Sequence, residues 1–219
     1  MAIRLTKGEN VSLGQLTGEK KFKIGLSWDV KAGQNHDLDA IALLLNDRVQ
    51  NGGKCINESF CAAYFNGTDP GRSDFDKVTF RLPDGNLGFQ SVDGAVKLMG
   101  DARNGEKSGW DEEINIDLEK LDPRVKSILI LVNIYSDNPT VNFGQVKNAV
   151  AEVCVGNSDI PEIVTEMSED NSSAKCLRFV EIYKRTKPDG TVDFKMASLL
   201  DGSMNDLESE LRVFGLPVE

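Results

Sequence analysis

The chain has a single histidine, His36, and four cysteines, none of them in a Cys-x-x-Cys pair. Zinc is held by cysteine and histidine at close spacing, so this composition excludes an ordinary zinc site. It also leaves no Ser/His/Asp arrangement, because the one imidazole stands beside Asp37, and no cysteine has a histidine partner legible in the sequence. There is no Gly-x-x-x-x-Gly-Lys-Ser/Thr loop to cradle phosphates. No apolar run approaches the ~18 residues needed to cross a bilayer. Basic residues are outnumbered, 25 against 35 acidic, for a net charge of −10. That balance disfavours binding to a phosphate backbone, which needs a basic face. The opening residues Met1-Ala-Ile-Arg-Leu-Thr-Lys-Gly8 lack an apolar leader core. Cys55, Cys61, Cys154 and Cys176 are therefore expected to remain thiols in a reducing, cytoplasmic compartment.

What is present is enough apolar material for a real core, 40% of 219 residues, with 27% charged residues to keep it in solution. No internal repeat or Pro/Ser linker divides residues 1–219, which read as a single domain. Period-2 alternation predicts half-buried strands over 11–13, 22–28 and 75–82. More continuous apolar runs at 41–45, 62–65 and 128–135 predict strands inside a sandwich, and 114–118, 150–155, 177–183 and 192–196 add four more. Lys187-Pro-Asp-Gly190 is a turn sequence, so 175–198 reads as a hairpin. The clearest helix is 203–214, with Ser203 as N-cap, Gly215 as stop, and Met204, Leu207, Leu211 and Phe214 on one face. Many short strands without a strand–helix rhythm predict an all-β fold. The expected architecture is a mostly antiparallel β-sandwich with acidic loops at one end and a short C-terminal helix.

Two acidic knots interrupt this pattern. One is Asn35-His-Asp-Leu-Asp-Ala40, shortly after Gly25-Leu-Ser-Trp-Asp29; the other is Gly100-Asp-Ala-Arg-Asn-Gly-Glu-Lys-Ser-Gly-Trp-Asp-Glu-Glu113. Two carboxylates about 5 Å apart repel by roughly 3 kcal/mol at an effective dielectric near 20. A fold that gathers several of them gains from a cation. Oxygen-only donors on glycine-shaped loops fit calcium better than zinc or magnesium. A single EF-hand loop is excluded: counting Asp101 as its first position puts Arg103, Gly105 and Glu106 at positions 3, 5 and 6. Calcium ligands would have to come from several loops. The plain alternative for either knot is a solvated acidic face.

Several segments then occur in a fixed order: Leu5-Thr-Lys-Gly-Glu-Asn-Val-Ser-Leu13, Gly25-Leu-Ser-Trp-Asp29, Asp37-Leu-Asp-Ala40, Gly100-Asp101 through Glu112-Glu-Ile114, Asn142-Phe-Gly-Gln-Val-Lys-Asn-Ala149, and Ser168-Glu-Asp170 leading to Phe179-Val-Glu-Ile-Tyr183. In these the chain resembles the TerD family of tellurium-resistance and stress proteins over nearly its whole length. The resemblance implies a β-sandwich that binds one or two Ca²⁺ ions in neighbouring acidic loops, has no established enzymatic activity, and works with other proteins of a stress-resistance complex, some near the membrane. Position by position, it implies Asp29, Asp37, Asp39, Asn66, Asp101, Glu106, Asp111 and Glu112 as metal ligands. The sequence departs from the family run where Ser108 and Trp110 replace carboxylates and Lys107 replaces glycine, which implies that one calcium position is weakened or lost. Against a calcium-dependent interaction module stand three other readings. One is a lectin-like binder that stacks a sugar on Trp110 or Trp28. Another is a hydrolase using Asp111 and Glu113, and the last is a metal-free scaffold.

Overall fold

In a computed structural model the alternating segments fold as strands of two facing sheets; the structure describes residues 2–16, 18–30, 37–99, 110–136, 138, 140–167 and 171–217. In chain order the strands are β1 (Ile3–Leu5), β2 (Asn10–Ser12), β3 (Lys21–Val30), β4 (Asp37–Leu45), β5 (Cys61–Ala62), β6 (Thr79–Arg81) and β7 (Leu87–Gln90). There follow β8 (Val96–Leu98), β9 (Glu112–Asp117), β10 (Ser127–Tyr135), β11 (Val146–Val155), β12 (Pro161–Glu166), β13 (Cys176–Thr186) and β14 (Val192–Ser203). The helical pieces are short: α1 (Leu13–Leu16), α2 (Phe75–Val78) and α3 (Leu207–Val213). One sheet has the order β1-β12-β11-β3-β9-β8-β7-β6 and the other β2-β14-β13-β10-β4-β5. Among the described residues the pairings within these sheets are antiparallel except β1 with β12. The expected sandwich with a C-terminal helix is the fold observed.

Parity explains where the core lies. Phe22, Ile24, Leu26 and Trp28 alternate along β3 and are all buried, while Lys21 and Asp29 on the opposite face are exposed. Their partners Ile116, Ile114, Ala151 and Val153 continue the same inward face across β9 and β11. From the other sheet, Leu38, Ala40, Ala42 and Leu44 of β4 and Ile128, Ile130, Val132 and Ile134 of β10 meet them. A hydrogen bond between the hydroxyls of Thr165 and Ser198, 2.6 Å long, crosses between the sheets.

The six-stranded sheet is buried on its outer face too. There Ile41, Leu43 and Leu45 lie in register with Leu131, Leu129 and Ser127. Arg178, opposite Leu131, donates through Nε to Glu210 of α3 at 2.7 Å. The hydroxyl of Ser203 and the amide of Asn205 also donate to Glu210, at 2.8 and 2.9 Å. This second cover explains why β4 and β10 read as continuously apolar where an ordinary sandwich strand alternates.

Three sequence expectations need correction. The strand expected over 75–82 is a strand only at Thr79–Arg81. Its first half is the turn α2, closed by the Lys77 and Val78 amides donating to Asp74 O and by Thr79 Oγ1 donating to Phe75 O. The strand expected over 62–65 ends after Ala62, and Tyr64–Gly67 form a 3₁₀ turn held by Asn66 Nδ2 donating to Cys61 O at 2.6 Å. The helix starts three residues late. Ser203 belongs to β14, and the N-cap is Asp206, whose side chain accepts from the Ser209 amide at 2.8 Å. Met204 is therefore outside the helix and 66% exposed, whereas Leu211 and Phe214 are buried as expected. The 187–190 turn is where it was expected, with Gly190 at φ +83° and its amide donating to Lys187 O.

Glu210 is buried, and burial raises its pKa; the hydrogen bonds from Arg178, Ser203 and Asn205 more than offset this and hold it below its ordinary value of 4.5. A depressed carboxyl stabilises the fold fully above the unfolded pKa and loses that contribution as pH falls through the folded one. Replacing Glu210 by Gln is expected to cost about 2 kcal/mol at neutral pH. The gap to wild type should narrow in acid, as the pH falls below the ordinary 4.5 and Glu210 takes up its proton. Urea unfolding of both proteins at neutral and at acid pH checks this. An equal gap at both would show that the charge of Glu210 does not contribute.

Candidate metal centre

Strand β3 runs toward one end of the sandwich and β4 leaves from it, so Asp29 near the end of one and Asp37 at the start of the other flank the same rim. Strand β9 begins at that rim with Glu112 opposite Leu26. The sequence thus delivers carboxylates to one end because the strands that carry them begin or finish there.

Five of the eight expected ligands have side chains among the described residues. Asp29 is exposed on the outer face of the eight-stranded sheet, opposite Lys147, and its Oδ2 accepts from Asn148 Nδ2 at 2.6 Å. Asn148 has a left-handed backbone, φ +51°, at the point where the β3–β11 register shifts. Such a bulge re-aims a side chain. Asp111 is 4% exposed; its amide donates to Leu26 O at 2.8 Å and its Oδ2 accepts from the Trp28 amide at 3.1 Å. Glu112 is 3% exposed and shares the parity of Leu26, the inward face of the sheet. Asp29, Asp111 and Glu112 therefore all lie near the same end of β3, but on different faces: Asp29 is outward and exposed, whereas Asp111 and Glu112 are buried.

Asp39 is opposite Asn133 and half-buried on the outer face of the other sheet. Nearby, burial pushes the Tyr64 phenol above its ordinary value, and the charge of Asp39 adds to the push. Asp37 pairs through its backbone with Tyr135, but its side chain lies outside the described residues. Asp101, Glu106 and His36 lie outside them entirely. Asn66 is fully buried and both ends of its carboxamide are engaged: Nδ2 donates to Cys61 O, and Oδ1 accepts from Arg72 at 3.5 Å.

Sequence reading missed what holds the acidic segment to the sandwich. The Trp110 ring lies flat against Gly25 in the middle of β3, where a Cβ would fall 1.9 Å from a ring carbon. Its Nε1 donates to Glu152 Oε2 on β11 at 2.8 Å. The available signal was Gly25 itself, since glycine inside a strand marks a close approach. This packing occupies the ring that the lectin reading needed for a sugar. Trp28 is core, 4% exposed. The pair considered for hydrolysis is split between two networks, Asp111 on the Trp28 amide and Glu113 on Asn115 Nδ2 at 2.9 Å.

The fit to a hard cation rests on donor chemistry and burial. Every expected ligand offers oxygen, as calcium requires. Asp111 and Glu112 are also withdrawn from water, unlike a solvated acidic face. Among the described residues no group of three or more His, Cys, Asp or Glu side chains converges to hold a metal. A complete site would need the carboxylates of 101–106.

Comparison with known proteins bears on the same region. The TerD domain family matches residues 1–82 and 84–210. A tellurium resistance protein TerD of Serratia marcescens is 29% identical over 99% of this chain and 98% of its own length. General stress protein 16U of Bacillus subtilis is 25% identical over the full length of both. Among solved structures, a homologue of telluride resistance protein from Streptomyces coelicolor superposes with a TM-score of 0.56 over 89% of this chain and 96% of its own, at 21% identity.

Adding a methyl group at Gly25 should expel Trp110. Gly25→Ala is expected to destabilise the fold by about 1–3 kcal/mol and to red-shift the tryptophan fluorescence. In a Trp110→Ala background the same substitution should cost much less. Equal costs in the two backgrounds would rule out the Gly25–Trp110 contact as the source.

Proposed function

The chain belongs to the TerD family, and on that premise we propose that it is a calcium-binding, non-enzymatic interaction module of the stress-response and tellurite-resistance type. The observation that carries this reading is the burial of two successive carboxylates, Asp111 and Glu112, at the end of an acidic segment of the sequence. Desolvating adjacent like charges is costly, and a bound cation offsets that cost. The carboxylates of Asp29, Asp37, Asp39, Asp101, Glu106, Asp111 and Glu112 would be divided between one or two such ions. The ion would supply charge neutralisation and order the rim, which would then be presented to partner proteins of a stress-resistance assembly. Asn66 is the weakest member of this set, because its carboxamide is already engaged.

Several features support the rest of the reading. Relatives that span the whole chain include proteins named for tellurium resistance and general stress. Among the described residues no helix is long and apolar enough to cross a membrane, and the bilayer association in this reading is peripheral. A cytoplasmic site of action agrees with the four buried, unbridged cysteines.

Calcium should bind the folded state selectively and so raise the unfolding temperature. At a hundredfold excess over Kd the gain is about 2.7 kcal/mol. The comparison is thermal unfolding in EGTA, in millimolar Ca²⁺ and in millimolar Mg²⁺, for wild type, Asp39→Ala and Asp101→Ala. The expected result is a calcium-specific rise in wild type that is largely lost in both variants. No rise with either cation would return the acidic loops to a solvated face. An unchanged calcium affinity in both variants would overturn the ligand assignment alone.

A further inference from the structure

Cys55 and Cys61 are six residues apart in sequence, and their sulfur atoms are 3.4 Å apart in the fold. Both sit along the edge of β4 that faces away from β10: Cys55 forms a bridge with Leu45, and Cys61 pairs with Leu43. Leu43 and Leu45 are two positions apart and so share a face, which places both cysteines on that face too. Two residues of strand separate the cysteine backbones by about 6.6 Å along the edge. A disulfide spans Cα separations of about 4.4–6.8 Å. The chain leaves the edge at Cys55, makes the 3₁₀ turn Glu58–Phe60, and returns at Cys61 with the sulfurs facing one another. Closing the bond asks the sulfurs to approach by roughly 1.4 Å, to the ~2.05 Å of an S–S bond.

We propose that Cys55 and Cys61 form an oxidisable dithiol, a modification site that small two-electron oxidants convert to an intramolecular disulfide. The two sulfurs have different roles. Cys55 is the less enclosed, 6% exposed against 0% for Cys61. A hydrogen bond from the Cys61 thiol holds the Cys55 pKa below its ordinary value, while burial pushes Cys61 up. Cys55 is thus the attacking thiolate and Cys61 the resolving thiol. With a hydroperoxide, Cys55 sulfur takes one oxygen as the O–O bond breaks, giving a sulfenic acid and releasing an alcohol or water. Cys61 sulfur then attacks the Cys55 sulfur, the S–O bond breaks, and water leaves with the Cys61 proton. Two thiols lose two electrons and two protons, and the hydroperoxide is reduced.

The other two cysteines serve as internal controls. Burial pushes Cys176 to about 12, and its Sγ donates to Asn133 Oδ1 at 3.2 Å. Burial also raises Cys154. The segment next to the dithiol has a second role, because residues 56–59 line a cavity of about 860 Å³ opposite Leu207, Leu211 and Leu216. Drawing Cys55 toward Cys61 would move that wall.

Trypsin cleaves after Lys54 and next after Arg72, so both cysteines fall in one peptide. The test exposes the folded protein to hydrogen peroxide or diamide, then denatures it in alkylating agent, digests it and reads the masses. Peptide 55–72 is expected to lose the mass of two hydrogens and to resist alkylation, while Cys154 and Cys176 remain alkylatable. Cys61→Ser should abolish the linked peptide and leave Cys55 as a sulfenic acid that dimedone traps. Two alkylatable thiols in peptide 55–72, after treatment that oxidises glutathione completely, would overturn the proposal in the wild-type protein itself. So would linkage between chains, or oxidation of Cys154 and Cys176 at the same rate.

Discussion

Strand β4 is paired along both edges and covered on both faces, so its register is the constraint from which the rest of the molecule follows. Over nine positions it pairs with β10, from Asp37 opposite Tyr135 to Leu45 opposite Ser127. Slipping by one residue would exchange its two faces. Asp39 would then enter the space between the sheets, where a carboxylate has no water. The acidic residue at the start of the strand and the apolar run that follows it therefore fix the same register. On the opposite edge that register places Cys55 and Cys61, through Leu45 and Leu43, and on the outer face it seats α3 through Arg178 and Glu210.

The eight-stranded sheet treats its acidic residues differently along its length. Lys21 faces Asp117 across the β3–β9 pair, and Lys23 pairs with Asp159. These are ordinary exposed ion pairs, each worth little. Toward the other end of β3, Asp29 stays outward opposite Lys147, whereas Asp111 and Glu112 are buried. Asp111 is fixed by a backbone amide of Trp28, and Trp110 beside it is pinned on Gly25. A rigid anchor at the foot of a loop pre-positions the ligands that follow it, which lowers the ordering cost of binding an ion.

How much of this was legible depended on the length and periodicity of each element. Strands β3, β10, β11, β13 and β14 carry patterns of nine or more residues, and the sandwich followed from them. Strands β1, β7 and β8 are three or four residues long, too short for a period to show, and β12 starts at a proline. The error at 62–65 had a different cause. Ala62-Ala-Tyr-Phe65 is apolar enough for a strand, but Asn66 turns back to Cys61 O, a side-chain bond to the backbone that competes with the sheet. The same bond engages the carboxamide that the resemblance had assigned to a metal. Of the candidate site, Asp29, Asp39, Asp111 and Glu112 could be placed from strand ends alone. What no sequence pattern expressed was that Trp110, standing where the family run has a carboxylate, is used for packing.

That replacement changes how the acidic loop should be weighed. Trading a carboxylate for an indole on Gly25 removes a charge and adds a buried contact, and Ser108 and Lys107 lower the local negative charge further. A lower ligand charge weakens calcium binding. A loop tied down at one end, however, loses less entropy when an ion binds than a loop free at both ends. The two effects oppose each other, so a lower charge count in 100–113 does not by itself imply a lower affinity. The stated resemblance led to a weakened second position by counting charges alone. The Gly25–Trp110 contact supplies the compensating term, and it acts on ligands next to it, Asp111 and Glu112, more than on those farther along the loop.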